Sequence, residues 1–368
     1  MQNDVNTRVF LALVKAGLWE QDVRFPQIDK IEYSEVLRLA EEQTVVGLVT
    51  AGLEHVTDVK VPKEDLLQFV GRCLQLEQRN DAMNYFIGVI IEQMHKAGIY
   101  TILVKGQGIA QCYERPRWRA SGDVDFLLSD DNYRKARSFL EPLATVVNDE
   151  NPFNKHLAFT INPWTVELHG TLRGLLKKRI DNVVDQAQRN IFYGGSVRSW
   201  MNGKTQVFLP QADEDVVFIF SHLLQHFFKE GIALRQICDW CRLLWSFRDT
   251  IDKRLLERRL REMGVMSEWK TFASLTVDYL GMPKEAMPFY DSSSRWSSKA
   301  RKLLYYILKP DTDCVSREDN PSYFKRKAAS FWRHTKQGAR HFALFPMDSI
   351  IIWFRMIRIG LSIAWQGK

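Results

Sequence analysis

The chain has 368 residues, which at roughly 150 residues per domain predicts two or three structural units. With 45% hydrophobic, 26% charged and 12% aromatic residues, the composition is typical of a globular protein with a core and excludes an intrinsically disordered chain. Five scattered cysteines do not predict a disulfide framework, and the chain shows neither a signal-peptide pattern nor an uncharged apolar run of about 18 residues. We therefore expect a cytoplasmic protein without a membrane-spanning helix.

The net charge of +7 is concentrated near the C-terminal end of the sequence. From Arg295 onward the chain has 15 Lys and Arg against 5 Asp and Glu, so the preceding 294 residues carry about −3. Such a surplus is typical of proteins with anionic partners, although a solvated basic face also explains it. The segment Tyr323–His341 has six basic and no acidic residues, and the apolar run Ser349–Trp365 follows it. Peripheral contact with a membrane and a final helix packed on the core therefore both stay open.

Helical spacing dominates the first 97 residues. Apolar residues recur three or four positions apart in three stretches, Val9–Leu18, Leu67–Leu74 and Tyr85–Met94. Gly98 then predicts the end of the last helix, because glycine is favoured just after a helix C-terminus. We predict an N-terminal helical region comprising residues 1–97.

Short β-prone segments alternate with helical ones in the middle of the chain. We predict strands at Tyr100–Val104 and Asp123–Ser129, a helix at Asp130–Leu140, and a β-hairpin of Leu157–Ile161 and Thr165–His169 that turns at Asn162-Pro163. Further helices are predicted at Leu172–Asn190, Asp213–Lys229, Ile232–Phe247 and Lys253–Met263. The pattern predicts an α+β fold in which a small mixed β-sheet core, residues 98–210, lies between large N- and C-terminal helical regions, 1–97 and 211–368.

Three acidic residues lie on the predicted strands. Asp123 and Asp125 are two positions apart, so their side chains share one face of a strand. Glu167 can face the same cleft if its strand lies beside that of the aspartates. Carboxylate oxygens are the ligands that Mg²⁺ prefers, and three of them can hold two metal ions for phosphoryl or nucleotidyl transfer. We therefore predict that Asp123, Asp125 and Glu167 are the metal ligands and catalytic residues.

A glycine-containing turn precedes the aspartate pair. Gly106, Gln107 and Gly108 follow the first predicted strand and begin a helix, where backbone N–H groups can approach a phosphate. Lys105 and Arg119 are positioned in the sequence to neutralise a triphosphate. We predict that these five residues bind the nucleotide.

The ordered motifs resemble a known family. The segment VKGQGIAQCYERPRWRASGDVDFLL is similar to one in the bacterial family called uncharacterised nucleotidyltransferase, which belongs to the polymerase-beta nucleotidyltransferase superfamily. TVELHG, SHLLQHF and LRQICDWCRLL resemble later motifs of that family, and the resemblance covers about residues 85–245. It implies a nucleotidyltransferase core with helical additions, and Mg²⁺-dependent transfer of a nucleoside monophosphate from an NTP such as ATP. It further implies that Gly122 and Arg235 belong to the nucleotide site.

The acceptor and the activity itself stay open. Genes of the family often accompany surface-polysaccharide genes, which favours a small-molecule or glycan-linked acceptor. A nucleic-acid partner is disfavoured, because the sequence has no recognised template-binding motif. The superfamily often has Gly-Ser where this chain has Gly106-Gln107, so no hydroxyl is available there to bind phosphate. A catalytically inactive nucleotide-binding module, or one that interacts with a membrane surface, is therefore the alternative.

Two pairs of residues have i, i+4 spacing in the C-terminal helical region. His222 and His226 share a helix face, which is typical of core packing or of contact with a substrate, and zinc is disfavoured because no third ligand is evident. Arg235 and Asp239 predict an intrahelical ion pair. His169 either orients Glu167, contacts substrate or is simply a packed histidine.

Overall fold

Helices occupy both ends of the chain and strands occupy its middle, as the sequence predicted. The computed structural model describes residues 4–25, 31–151, 153–309 and 341–365. Residues 323–340 of the predicted basic segment lie outside the described residues. The helices before the first strand are α1 (Val5–Trp19), α2 (Tyr33–Glu42), α3 (Val46–Glu54) and the long α4 (Lys63–Lys96).

The predicted end of α4 is confirmed. The helix stops at Lys96, and Gly98 adopts a φ of +69°, which glycine tolerates without steric cost. The Gly98 backbone N–H donates a hydrogen bond to the His95 carbonyl oxygen at 2.9 Å, which satisfies one of the last carbonyl groups of the helix. The chain then turns directly into the first strand.

Within the described residues, a mixed sheet of five strands forms the centre of the molecule, in the order β1-β2-β5-β4-β3. The strands are β1 (Ile102–Val104), β2 (Asp123–Leu127), β3 (Val146–Val147), β4 (His156–Ile161) and β5 (Trp164–His169). Only the β2 and β5 pair is parallel in this sheet, and the other neighbours are antiparallel. Helix α5 (Gly106–Ala110) follows β1, and α6 (Asp130–Leu140) follows β2.

Alternation along β5 separates a core face from a polar face. Every second residue is buried, and the residues between them are only partly buried. The buried set is Trp164, Val166 and Leu168, and the other set is Thr165, Glu167 and His169. Because strand side chains alternate between faces, the apolar set anchors the strand while the polar set is presented on the opposite side.

A second hairpin and more helices complete the described chain. They are α7 (Lys178–Tyr193), the hairpin strands β6 (Val197–Asn202) and β7 (Thr205–Pro210), α8 (Ala212–Gln225) with a π-helical turn at His226–Glu230, α9 (Leu234–Ser246), α10 (Lys253–Met263), α11 (Met266–Asp278), α12 (Ser294–Leu308) and α13 (Pro346–Trp365). No helix in the described part of the chain has the length and apolarity that a membrane crossing requires.

The predicted start of the helix at Leu172 is wrong. Helix α7 begins only at Lys178, because Leu175 adopts a φ of +55°, in the left-handed region that a continuing right-handed helix excludes. The Leu175 backbone N–H instead donates to the Asp181 Oδ1 atom at 3.2 Å. Residues 171–175 therefore form a loop, and this loop borders the cavity described below.

Two hydrophobic clusters stabilise the fold. One lies between the sheet and α4, and it includes Phe126, Phe159 and Ile87. The larger one combines helices from both ends of the chain. Hydrogen bonds also join these ends; for example, Trp19 Nε1 donates to the Leu280 carbonyl at 2.6 Å, and Gln43 Nε2 donates to the Ile307 carbonyl at 3.1 Å. The N- and C-terminal helical regions are thus in direct contact, while the three-part division of the sequence stays a prediction.

Candidate active site

Three carboxylates meet where β2 and β5 lie side by side. The parallel register places Asp125 opposite Glu167 and Asp123 opposite Thr165. Because Asp123 and Asp125 are two residues apart, all three carboxylates lie on one face of the sheet. One oxygen from each of Asp123, Asp125 and Glu167 lies within 4.8 Å of the others. The structure therefore brings together the three acidic residues that the sequence singled out.

Lys105 lies directly against this cluster. It follows β1 with φ +58° and ψ −148°, a conformation that costs a non-glycine residue energy and that is found mainly at functional sites. Its Nζ atom is 2.6 Å from Asp125 Oδ1; the Asp125 side chain is buried, and the Lys105 side chain is 15% exposed. Burial lowers the pKa of Lys105, but the charges of Asp125, Asp123 and Glu167 outweigh it and raise the pKa above its ordinary value. Lys105 is therefore a partly buried cation that partly neutralises the three acids.

The pKa of Asp123 shows that the cluster keeps a surplus of negative charge. The nearby charge of Asp125 and, next, burial raise the pKa of Asp123 to about 6, although Lys105 acts in the opposite direction. A carboxyl group with a raised pKa in an acidic cluster gains from a further cation, which would favour its ionised form. The oxygen ligands, their spacing and this surplus of negative charge fit a hard divalent cation such as Mg²⁺.

Two histidines flank the carboxylates on the polar face of β4 and β5. His169 Nε2 donates to Asp125 Oδ1 at 2.8 Å, and His156 Nε2 donates to Glu167 Oε2 at 2.9 Å. Burial alone would raise the pKa of Glu167, but hydrogen bonds from the two histidines outweigh it and lower the pKa. Conversely, burial lowers the pKa of His169, and the bonds to Asp125 and Glu167 raise it overall. The two imidazoles thus hold the Glu167 carboxylate ionised.

The glycine turn is only partly exposed to the site. Helix α5 has 5 residues, and Gly106 at its start has a φ of +40° and lines the cavity. The Gln107 side chain points inward, where its Nε2 donates to Asn80 Oδ1 at 2.9 Å. At Gly108 a Cβ atom would lie 2.8 Å from Leu209 Cδ2, so this glycine permits close packing of α5 on β7. The described lining of the cavity does not include three of the predicted nucleotide-binding residues, Gln107, Gly108 and Gly122.

Arg119 is held in a buried ion pair. Its Nε and Nη2 atoms donate to the two oxygens of Asp239 at 3.0 and 2.6 Å, and its Nη1 donates to Ser121 Oγ at 2.6 Å. Tyr113 Oη donates to the same Asp239 at 2.8 Å. Burial raises the pKa of Asp239, but Arg119 outweighs it, so the pKa is lowered and the pair stays ionised. The guanidinium lines the cavity, but this network occupies its donor atoms.

Arg235 does not form the predicted intrahelical ion pair. In the described part of the chain, Asp239 is paired with Arg119 instead, because the loop that leads into β2 brings the Arg119 guanidinium onto it in bidentate geometry. Arg235 Nη1 donates to the Ala120 carbonyl at 2.9 Å, and its Nε is buried without a hydrogen-bond partner. Burial, followed by repulsion from Arg119, lowers the pKa of Arg235. Arg235 therefore lines the cavity as a cation with an unused donor.

A cavity of about 450 Å³ opens above the carboxylates. This volume is within the range of small-molecule and cofactor sites. Its lining includes His222 and His226, whose Nε2 atoms are 3.1 Å apart, and the π-helical turn begins at His226. Burial, with a smaller contribution from Lys105, lowers the pKa of His222 well below its ordinary value. The predicted contact of these histidines with a substrate is thus geometrically possible, because both face the space above the acids.

Sequence reasoning missed His156 and Asn80. The signal for His156 was available, because the hairpin turn pairs Ile161 with Trp164, and counting back along both strands places His156 opposite His169. Asn80 gave no signal, since it lies within the uniform pattern of α4. Its fully buried side chain donates to the Arg117 and Arg119 carbonyls at 2.7 and 2.8 Å. It therefore positions the loop that leads into β2.

A known protein family matches most of the chain. The model of the family described as uncharacterised nucleotidyltransferase matches residues 29–281, more than half of the chain. The chain therefore belongs to that family. A crystal structure of an antigenic nucleotidyltransferase-like protein from Paracoccidioides brasiliensis is similar at 12% identity, covering 50% of this chain and 90% of that chain with a TM-score of 0.30. A similarity of this extent does not bear on the function. No curated protein matches the chain.

Proposed function

We propose that this protein is a Mg²⁺-dependent nucleotidyltransferase of the polymerase-beta type, which moves a nucleoside monophosphate from an NTP to an acceptor. The observation that carries the proposal is the parallel pairing of β2 with β5. This pairing sets Asp125 beside Glu167 and brings the ligand atoms of Asp123, Asp125 and Glu167 within 4.8 Å of one another. Family membership supports the general class of reaction.

Asp123, Asp125 and Glu167 would hold the metal. When bound, Mg²⁺ supplies charge stabilisation for the attacking and leaving oxygens of nucleotidyl transfer. Glu167 serves this role better than that of a general base, because its lowered pKa makes it a weak proton acceptor. His156 and His169 fix the orientation of the carboxylates through hydrogen bonds of 2.9 and 2.8 Å.

Cations on the cavity wall would bind the triphosphate. Lys105 and Arg235 both line the cavity, and Arg235 retains a buried Nε–H without a partner. Arg119 adds positive charge but uses its donors on Asp239 and Ser121, so we assign it a positioning role. From the turn itself, Gly106 is the residue that lines the cavity. We propose that Gln107, Gly108 and Gly122 affect nucleotide binding only through the backbone conformation of the loops that carry Gly106 and Asp123.

The acceptor would be a small molecule or a glycan-linked group that binds in the same cavity. The cavity lining includes polar side chains, among them Asn151, Asn154 and His226. Hydroxyl groups of a sugar are suited to such hydrogen-bonding groups. We propose a cytoplasmic location, which agrees with the four free, buried cysteines in the described part of the chain.

Binding of each of the four NTPs, measured with and without Mg²⁺, tests the proposal. We expect Mg²⁺ to tighten binding of one NTP in the wild type, and the Asp123→Asn/Asp125→Asn double variant to lose that effect. Asp130→Asn/Asp131→Asn is the matched control, because these aspartates have exposed side chains on α6. Equal Mg²⁺ dependence in the wild type and the Asp123→Asn/Asp125→Asn variant would contradict a metal role for the acids.

A nucleotide-binding protein without catalysis is the second candidate. Two observations favour it: Gln107 is turned into the interior, and Asp125 Oδ1 already contacts both Lys105 and His169. This candidate predicts Mg²⁺-dependent NTP binding with no release of pyrophosphate across a broad set of sugar and glycan acceptors. Pyrophosphate release with any one acceptor, abolished by Asp123→Asn, would decide for the enzyme.

A further inference from the structure

We propose that His156, Glu167 and His169 form a binding site for a transition-metal cation such as Zn²⁺. This site shares Glu167 with the carboxylate cluster but is distinct from it in ligand chemistry. The inference concerns the binding of a metal and does not require that the protein transfer a nucleotide.

The three side chains converge closely enough to share one ion. His156 Nε2 and His169 Nε2 lie 2.9 and 3.5 Å from the same Glu167 Oε2 atom. The ligand atoms of all three residues lie within 4.8 Å of one another. Zinc bonds of roughly 2.1 Å in a tetrahedral arrangement place neighbouring ligand atoms about 3.4 Å apart. The observed separations bracket this value, so small side-chain rotations would accommodate the ion.

Rigid backbone positions the ligands. His156 and His169 are directly opposite each other in the antiparallel β4–β5 pair, and Glu167 is two residues from His169 on the same face. A hairpin with a continuous hydrogen-bond ladder holds its side chains in fixed relative positions, which lowers the cost of organising a metal site. Both histidines line the cavity, so an ion can reach them from solvent.

The ligand types select the cation. Imidazole nitrogen suits Zn²⁺, Co²⁺ and other transition metals, whereas Mg²⁺ prefers oxygen. The group of Asp123, Asp125 and Glu167 has oxygen ligands alone, and the group of His156, Glu167 and His169 has two nitrogens and one oxygen. A carboxylate has two oxygens, so Glu167 can serve both groups. Asp125 Oδ1, at 2.8 Å from His169 Nε2, or a water molecule can complete the coordination.

A purely orienting role for the histidines makes a different prediction. Residues that only support metal ligands through hydrogen bonds affect the affinity of the metal those ligands hold, here Mg²⁺, by about 10- to 100-fold. Removal of a direct ligand instead abolishes the affinity for Zn²⁺ and leaves a Mg²⁺-dependent NTP complex detectable. The metal whose affinity falls in the histidine variants, Mg²⁺ or Zn²⁺, therefore distinguishes an orienting role from a ligand role.

Titration of the metal-free full-length protein with Zn²⁺ and Co²⁺ tests the proposal. Calorimetry would measure Zn²⁺ affinity, and visible absorption would report the coordination of Co²⁺. We expect His156→Asn and His169→Asn each to weaken Zn²⁺ binding by more than ~100-fold, above the range of an orienting residue. His55→Asn is the matched control, because His55 Nε2 makes a similar contact of 2.7 Å with Glu20 but belongs to no three-ligand group in the described chain.

Histidine ¹⁵N NMR of the wild type provides a test that does not depend on whether the substituted variants fold. On addition of Zn²⁺ we expect signals of two of the 8 histidines to shift to metal-bound positions. No shift, or Zn²⁺ affinity that falls as much in His55→Asn as in the site variants, would overturn the proposal. Asp123→Asn separates the two ideas: it should abolish the Mg²⁺ effect on NTP binding while Zn²⁺ binding persists.

Discussion

Replacement of Asp239 by alanine would test whether the buried ion pair beside the cavity supports the fold. Asp239 accepts two hydrogen bonds from Arg119, at 3.0 and 2.6 Å, and one from Tyr113 at 2.8 Å. The side chains of Arg119 and Asp239 are only 5% and 9% exposed. Asp239→Ala would leave the guanidinium buried without its counter-charge and would also deprive the Tyr113 hydroxyl of its acceptor.

The expected loss of stability is large. Removal of one partner from a buried ion pair costs about 3–5 kcal/mol, because the remaining charge stays desolvated. At about 2.1 cal/mol/K per residue, the unfolding entropy of the 368-residue chain is about 0.8 kcal/mol/K. The midpoint of thermal unfolding should therefore fall by about 4–6 °C. Asp239→Asn should lose less, since its amide oxygen can still accept a hydrogen bond.

Urea and thermal unfolding, followed by circular dichroism, would measure these changes. The matched control is Asp185→Ala, which removes an equally bidentate partner, with contacts of 2.7 and 2.7 Å, from Arg173, whose side chain is 45% exposed. Exposed pairs contribute about 1 kcal/mol or less. If Asp239→Ala and Asp185→Ala lower the free energy of unfolding by the same small amount, the reasoning from burial is wrong.

Three further outcomes follow from the site and its surroundings. Because the pKa of Asp123 is raised from 3.8 to about 6, the protonated carboxyl stabilises the folded state below pH 4, and this stabilisation is lost as pH rises through about 6. Mg²⁺ needs the ionised carboxylate. It should therefore raise the melting temperature at pH 7.5 and not at pH 5. Lys105→Met should move the midpoint of this Mg²⁺ effect to higher pH, because Lys105 lowers the pKa of Asp123, and an unchanged midpoint would contradict that coupling. Gly47→Ala should lower the free energy of unfolding by about 1–3 kcal/mol, because its Cβ would lie 2.0 Å from the Trp118 carbonyl oxygen. Gly71→Ala on α4 should instead raise the free energy of unfolding by about 0.5–1 kcal/mol, because no atom lies within 4 Å of the added Cβ and alanine favours the helix. Chemical denaturation of both variants checks the difference in sign.

Side-chain periodicity alone was sufficient for the elements that carry the acids. The sequence predicted the strand at Asp123, the helix Asp130–Leu140 and the hairpin at Asn162-Pro163, and the structure confirms each to within two residues. Apolar alternation and turn residues act over a few positions, so these elements are encoded locally. Their order along the chain also indicated the family.

Local patterns failed where a single backbone conformation or a distant partner decided the outcome. The helix predicted from Leu172 begins only at Lys178, because Leu175 is left-handed and its N–H is taken by Asp181. Helical spacing predicted an ion pair between Arg235 and Asp239. Asp239 instead pairs in bidentate geometry with Arg119, which is 120 residues away in sequence.

The sequence by itself indicated the residues of the candidate site: the carboxylates of Asp123, Asp125 and Glu167 and the cation Lys105 next to them. Only the tertiary structure decided that they form one site, because the parallel pairing of β2 with β5 joins segments about 40 residues apart, and no local pattern specifies strand order. The same pairing brings His169 within 2.8 Å of Asp125. Residue identity is set along the chain, whereas distances between charges are set by packing of the whole core.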